Sequence, residues 1–173
     1  MDIKKVSESY LSFLADGQPE RETQLQWNKA EKRVYTGVVL EMGRFKYFAP
    51  LTSPKEKHKK LSNSIDFKKL RLEKKNGQIL ELGALNLNLM IPIPHDEIID
   101  IDLRQETPFY ADIIKKQYKV LTLLKDAIER DAEKLYDKIV NNNNCPENLK
   151  KRCLEFSHFE QKYLEWENKK GGC

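Results

Sequence analysis

The chain has 173 residues; 31 Lys and Arg against 27 Asp and Glu leave a net charge of +4, and 34% of the residues are charged. That length suits one domain with a real core, and a mean hydropathy of −0.70 with a pI near 8.8 describes a soluble, mildly basic protein. No apolar run is long enough to cross a bilayer and no apolar leader follows Asp2, so membrane and secreted classes are set aside and a cytoplasmic protein is expected.

The three cysteines, Cys145, Cys153 and Cys173, form no Cys-x-x-Cys pair. A disulfide framework and a structural zinc site are therefore disfavoured, and no metal or other cofactor is expected. Cys153 falls on an apolar helical stripe and reads as core. Charge is unevenly placed: Lys55 to Arg71 is strongly positive, Glu97 to Glu106 acidic. A basic face is the electrostatic footprint expected for a polyanion.

In chain order, Ile3 to Val6 reads as a short strand. Ser7 reads as the cap of a helix carrying Tyr10, Leu11, Phe13 and Leu14, ended by Gly17. Gln18 to Asn28 is polar and loop-like, with Trp27 as an anchor. Val34 to Leu40 reads as a strand buried on both faces, and Gly37 inside it signals a bulge or a close backbone approach. Gly43 offers a hairpin turn into a second strand, Phe45 to Leu51. Ile65 to Leu72 and Gln78 to Leu82 form another strand pair across the Asn76-Gly77 turn. Leu85 to Leu89 alternates, which puts Asn86 and Asn88 on one face, and Ile98 to Asp102 is a last strand. Short strands with tight turns predict a small closed barrel. Thr107-Pro108 then opens a helical region in which Ile113, Ile114, Gln117, Leu121, Leu124, Ile128, Leu135 and Ile139 keep helical spacing. Asn141 to Asn144 breaks it, and a final helix from Pro146 carries Leu149, Cys153, Phe156, Phe159 and Tyr163. One domain, 1–173, is expected, with a barrel core over about 1–103 and helices over about 107–168.

The stretch from Tyr47 to Lys60 concentrates the candidate chemistry. An apolar strand runs into Thr52-Ser53, then Pro54 and a lysine-rich segment. Ser53, Pro54 and Glu56 have the spacing of an N-cap, a first helical residue and a capping-box partner. Unpaired N–H groups at such a start, with Lys55, Lys57, Lys59 and Lys60 beside them, favour phosphate. By chemistry alone the same residues read more readily as a capped helix with a solvated basic face, since caps and lysine runs are common.

The residues Gly37-Val38-Val39-Leu40-Glu41, then Lys46 through Pro50-Leu51-Thr52-Ser53-Pro54-Lys55, then Leu85 through Ile93 and Thr107-Pro108-Phe109-Tyr110, resemble the ToxN/AbiQ/CptN family, the protein toxins of type III toxin–antitoxin systems. The likeness runs from about Tyr10 to Tyr118. It implies an α+β fold: a compact SH3-like barrel of the Kid/MazF/CcdB type with added helices. It implies a sequence-specific, metal-independent endoribonuclease that acts in phage abortive infection. It also implies a partner, a short repeat-derived antitoxin RNA, cut by the toxin and held as an inhibitory pseudoknot. Closed rings of three toxins and three RNAs occur in the family. Arg33, beside Lys32, stands where the family often has lysine; it keeps the charge but is a poor proton donor or acceptor.

The reaction so implied uses the 2′-OH of RNA as nucleophile and leaves 2′,3′-cyclic phosphate and 5′-OH ends. The expected roles are Lys55 and Arg33 on the scissile phosphate, with Lys55 also a proton donor, Ser53 and Thr52 as hydrogen-bond donors to its oxygens, and Tyr10 either stacking on a base or assisting proton transfer, or simply part of the core. The wider RNA-binding set is Lys32, Lys57, His58, Lys59, Lys60, Lys68 and Lys115, with Asn86 and Asn88 reading base edges or simply facing solvent, and Tyr110 and Tyr118 stacking. The rival reading is a non-catalytic module on the same barrel, binding RNA or poisoning a gyrase.

Overall fold

The computed structural model describes residues 1–16, 34–56, 60–141 and 145–171. Trp27, Lys32, Arg33, Lys57, His58 and Lys59 lie outside the described residues.

The first strand, β1 (Ile3–Val6), leads into α1 (Glu8–Ala15). Ser7 caps α1 as its position predicts, its hydroxyl accepting from the Tyr10 N–H at 3.2 Å. The expected Val34–Leu40 strand is two pieces, β2 (Tyr35–Thr36) and β3 (Leu40–Met42). Gly37 explains the break by close approach. Its N–H donates to the Asp2 carbonyl, and a Cβ there would meet the Asp2 backbone nitrogen at 2.9 Å. Gly43, at φ +57, turns the chain into β4 (Phe45–Phe48). Ala49-Pro50 makes a corner, and β5 (Leu51–Thr52) continues beyond it.

The hairpin β6 (Phe67–Glu73) and β7 (Ile79–Asn86) closes around Gly77, at φ +77. Short strands β8 (Ile91–Pro92) and β9 (Ile98–Asp100) follow. The strands form three antiparallel three-stranded sheets, in the orders β2-β1-β9, β3-β4-β8 and β5-β7-β6. No closed barrel ladder runs through the described residues, which corrects the barrel expectation. The chain turns too sharply at Gly37 and at Pro50 to sustain one continuous sheet. An isolated antiparallel bridge between Tyr35 and Pro50 joins the first sheet to the corner instead: Thr36 N–H to the Ala49 carbonyl and Leu51 N–H to the Val34 carbonyl, both 2.9 Å.

Thr107 caps α2 (Pro108–Leu123) with proline in its first turn. The expected helical region divides at Leu124, and α3 (Lys125–Val140) follows. The final helix is likewise two, α4 (Glu147–Arg152) and α5 (Phe156–Gly171). Between them Leu154 donates its N–H to the Asn88 carbonyl at 2.9 Å, a bond that a continuous helix would forgo. Helix α2 lies on β6 and β7, and α5 on β8. One cluster of buried side chains runs through sheets and helices alike, including Tyr47, Phe48, Leu82, Leu85, Leu121, Leu135, Phe156, Phe159 and, as expected, Cys153. Among the described residues no helix is long and apolar enough to cross a membrane.

Candidate active site

Strand β5 brings Thr52 and Ser53 to the end of the third sheet. Leu51 pairs with Leu85 and Thr52 with Ala84 of β7. Thr52 is half-buried, and its hydroxyl points at the Ala84 carbonyl at a long 3.4 Å. Ser53, Pro54, Lys55 and Glu56 are exposed. Helical backbone is found at Glu56 and Lys60 but not at Ser53, Pro54 or Lys55. Ser53 therefore stands ahead of the helix start rather than flanking it, and the capping-box expectation is corrected. Its hydroxyl lies on an exposed turn, next to an exposed lysine.

The main chain at this turn is closely backed. Gly83 of β7 is buried and has φ +111, a conformation glycine tolerates and other residues do not. A Cβ there would overlap the Thr52 carbonyl oxygen and lie 3.0 Å from the Thr52 carbonyl carbon and 3.3 Å from that of Ser53. Sequence reasoning passed over this residue. The signal was available, because a glycine inside the apolar run from Ile79 to Leu89 has the same meaning as Gly37.

The other expected site residues divide by what already holds them. Tyr10 is fully buried, edge-on to Trp166 with ring centroids 5.5 Å apart, and its hydroxyl donates to the Pro92 carbonyl at 2.8 Å. Burial, reinforced by Tyr163, Glu97 and Glu167, pushes its phenol far above the ordinary range. Tyr10 is a core residue with no face for a base, so its stacking role is corrected. Lys68 is an ion-pair partner of Asp131 on α3, with 14% of its side chain exposed. This buttress between β6 and α3 withdraws it from the electrostatic set. The alternation from Leu85 to Leu89 does not continue as strand either. It ends at Asn86, and residues 87–89 form a 3-10 turn. Asn88 donates from Nδ2 to the Arg152 carbonyl at 2.7 Å, tying that turn to α4. Asn86 and Asn88 therefore do not share a strand face, because the turn rotates the second away from the first.

Lys60, Lys115 and Tyr118 are exposed, Tyr118 by 46%, while Tyr110 is half-buried against the core. Lys115 and Tyr118 lie on the outer side of α2, whose inner side carries Ile114, Gln117 and Leu121. The acidic stretch is largely neutralised from within the fold. Asp100 pairs with Lys4 and Glu106 with Lys5, both at 2.5 Å, Asp102 pairs with Arg104 at 2.9 Å, and Glu97 pairs with Lys170.

An exposed hydroxyl and ammonium on a rigidly backed turn make a site able to donate to a phosphate. Comparison with known proteins identifies the family. The family model for toxin ToxN of type III toxin–antitoxin systems matches residues 2–164. The chain is 30% identical to endoribonuclease ToxN of Bacillus thuringiensis subsp. kurstaki, over 95% of this chain and 83% of that one. It is 29% identical to endoribonuclease ToxN of Pectobacterium atrosepticum, over 96% and 94%. A solved structure of a bacterial type III toxin–antitoxin system, described as selective toxin inhibition by a non-coding RNA pseudoknot, superposes with a TM-score of 0.78 at 26% identity, over 96% of this chain and 99% of that one. The chain belongs to the ToxN family of type III toxin–antitoxin toxins.

Proposed function

We propose that the chain is a sequence-specific, metal-independent endoribonuclease toxin whose reaction site is the Thr52–Lys55 turn. The observation that carries the reading is the pairing of exposed Ser53 and Lys55 side chains with a main chain backed by Gly83. Cleavage needs the 2′-OH aligned with phosphorus, a proton taken from it, a proton given to the 5′-oxygen, and donors for the charged phosphorane. Alignment can supply about 7–11 kcal/mol in ideal intramolecular cases, and donors placed where charge develops supply much of the rest. Lys55 holds the scissile phosphate and gives a proton to the leaving oxygen. The Ser53 hydroxyl donates to a non-bridging oxygen. Thr52 joins it by turning its hydroxyl from Ala84, a change made easy by that bond's length. Support for Arg33 as a second phosphate ligand is the family resemblance alone. The products carry 2′,3′-cyclic phosphate and 5′-OH ends.

The partner is a small repeat-derived RNA, processed by the toxin and inhibiting it as a pseudoknot in a closed assembly of three copies of each. The targets are cellular and phage transcripts in the cytoplasm, and the outcome is abortive infection. Support for the RNA partner is the family and the exposed Lys60, Lys115 and Tyr118. The buried cluster shared by sheets and helices supports a single domain. The corner at Ala49-Pro50, which passes one strand course between two sheets, supports a relation to the strongly bent Kid/MazF/CcdB type.

The test is RNA cleavage by the purified protein in excess EDTA, beside Ser53→Ala and Lys55→Ala, with end-group analysis. Both variants are expected to stay folded, because exposed substitutions shift stability by only about 0.5 kcal/mol. Both are expected to lose cleavage by on the order of 10²-fold or more. Absence of cleavage of any RNA, including the repeats encoded beside the gene, would leave the RNA-binding or gyrase-poisoning module.

A further inference from the structure

Gln117 is one of few polar side chains buried in the described protein, 4% exposed on a helix face otherwise made of Ala111, Ile114, Val120 and Leu121. A buried amide is unfavourable unless it is bonded. Its Nε2 donates to the Leu82 carbonyl at 2.7 Å. Leu82 is no ordinary ladder residue. Leu70 of β6 faces Gly83 and Arg71 faces Glu81, so Leu82 is the extra residue of a bulge. A bulge removes one residue from regular pairing and re-aims the strand. Here it delivers Gly83, at positive φ, against the backbone of Thr52 and Ser53.

We propose that Gln117 is a positioning residue for RNA cleavage, acting through the bulged Leu82-Gly83 pair on the main chain of Thr52-Ser53. The proposal rests on the endoribonuclease reading of that turn. The Ser53 side chain is exposed and has no core packing to aim it, so its hydroxyl is placed by its own backbone. That backbone is placed by Gly83, and the bulge holding Gly83 is pinned from α2 by the amide of Gln117. The arrangement resolves two demands. Side chains that must meet a phosphate have to stay in solvent, yet be held within a fraction of an ångström. Rigidity is therefore supplied from behind, through the main chain. Gln117 is buried and does not touch RNA, so its loss is felt in the reacting geometry rather than in substrate binding.

The experiment compares the parent protein with Gln117→Leu, Gln117→Glu and, as control, Tyr136→Phe. The control removes a part-buried hydrogen bond between α3 and α5, from the Tyr136 hydroxyl to Glu160, that involves none of β5, β7 or α2. Steady-state cleavage is followed on a single-stranded RNA oligonucleotide carrying the site that the parent cuts most often in bacterial RNA. The kcat of Gln117→Leu is expected to fall on the order of 10²-fold, the cost of a small misplacement of reacting groups, with KM within about twofold. Tyr136→Phe is expected to keep the parent kcat below its melting temperature. In Gln117→Glu the carboxylate cannot donate to the Leu82 carbonyl but the acid can, and burial raises the pH at which that acid forms. Its kcat relative to the parent is therefore expected to rise as pH falls. A parent that cleaves no RNA overturns the endoribonuclease reading and this proposal with it. An active parent with Gln117→Leu matching Tyr136→Phe in kcat overturns this proposal alone. Should Gln117→Leu not fold, a flat Gln117→Glu ratio across pH overturns it.

Discussion

Two serines, each with the local pattern of a helix cap, meet opposite fates. Ser7 is committed. Its oxygen accepts from the Tyr10 N–H, and its hydroxyl donates to Glu97. Glu97 is 3% exposed and also accepts from Trp166 Nε1, at 2.8 Å, and from Lys170. This knot fastens the start of α1, the 3-10 turn just before β9, and α5 together. Burial works to raise the Glu97 carboxyl, but the donors of Lys170, Ser7 and Trp166 outweigh it and hold the group below its ordinary value. Ser53 is spared all of this, with its side chain in solvent and only its backbone held. The contrast separates two uses of polar chemistry. In the knot the side chains are the structure. At the turn the main chain is the structure, and the Ser53 side chain stands in solvent.

The contrast is broken most sharply at Gly83. Gly83→Ala meets a positive φ and a backbone overlap at once, and is expected to cost roughly 2 kcal/mol or more, with cleavage impaired even where the variant is folded. Urea melts beside cleavage rates check this; parent-like values for both would mean that β7 does not hold the turn. Glu97→Ala is expected to cost about 1–3 kcal/mol, since it leaves the Trp166 N–H unsatisfied, while cleavage well below the melting temperature stays at the parent rate. The pH dependence has a definite sign. The folded carboxyl titrates below its ordinary 4.5. Its contribution is thus complete at neutral pH, above the unfolded value, and is lost as pH falls through the folded one. The stability gap between parent and Glu97→Ala should shrink as pH falls from 7 to about 3, read from urea midpoints; a constant gap would remove the knot's charge from the account. Smallest is Tyr10→Phe, expected to cost about 1 kcal/mol through the lost bond to Pro92 with kcat unchanged. A hundredfold slower, fully folded Tyr10→Phe would return the phenol to the reaction.

The elements legible in the chain are those settled between near neighbours. Ser7 caps α1, Thr107-Pro108 opens α2, and Gly43 and Gly77 take the positive φ their turns need. In each, donor and acceptor are a few residues apart, so the pattern carries the whole interaction. The Thr52-Ser53-Pro54-Lys55 run belongs with them in its placement, at the exposed end of β5, as the strand pattern predicts. Its cap reading failed since a helix start depends on where the backbone turns, and that is decided by β7 behind it.

Everything that misled was settled across long separations. Lys68 looks free until Asp131, 63 residues on, folds against it. Asn88 looks like part of a strand until the Arg152 carbonyl, 64 residues on, takes its amide. Tyr10 has the composition of a site residue, and only the packing of α5 over α1 makes it core. Gln117 looks like one polar break in an apolar stripe until a bulge 35 residues earlier presents its carbonyl. Residue types alone establish a basic protein with hydroxyls beside a lysine at the end of a strand, since charge and hydroxyl chemistry need no partner to be read. Which of those groups stay available is a matter of burial and hydrogen-bond satisfaction, and both exist only once distant segments meet.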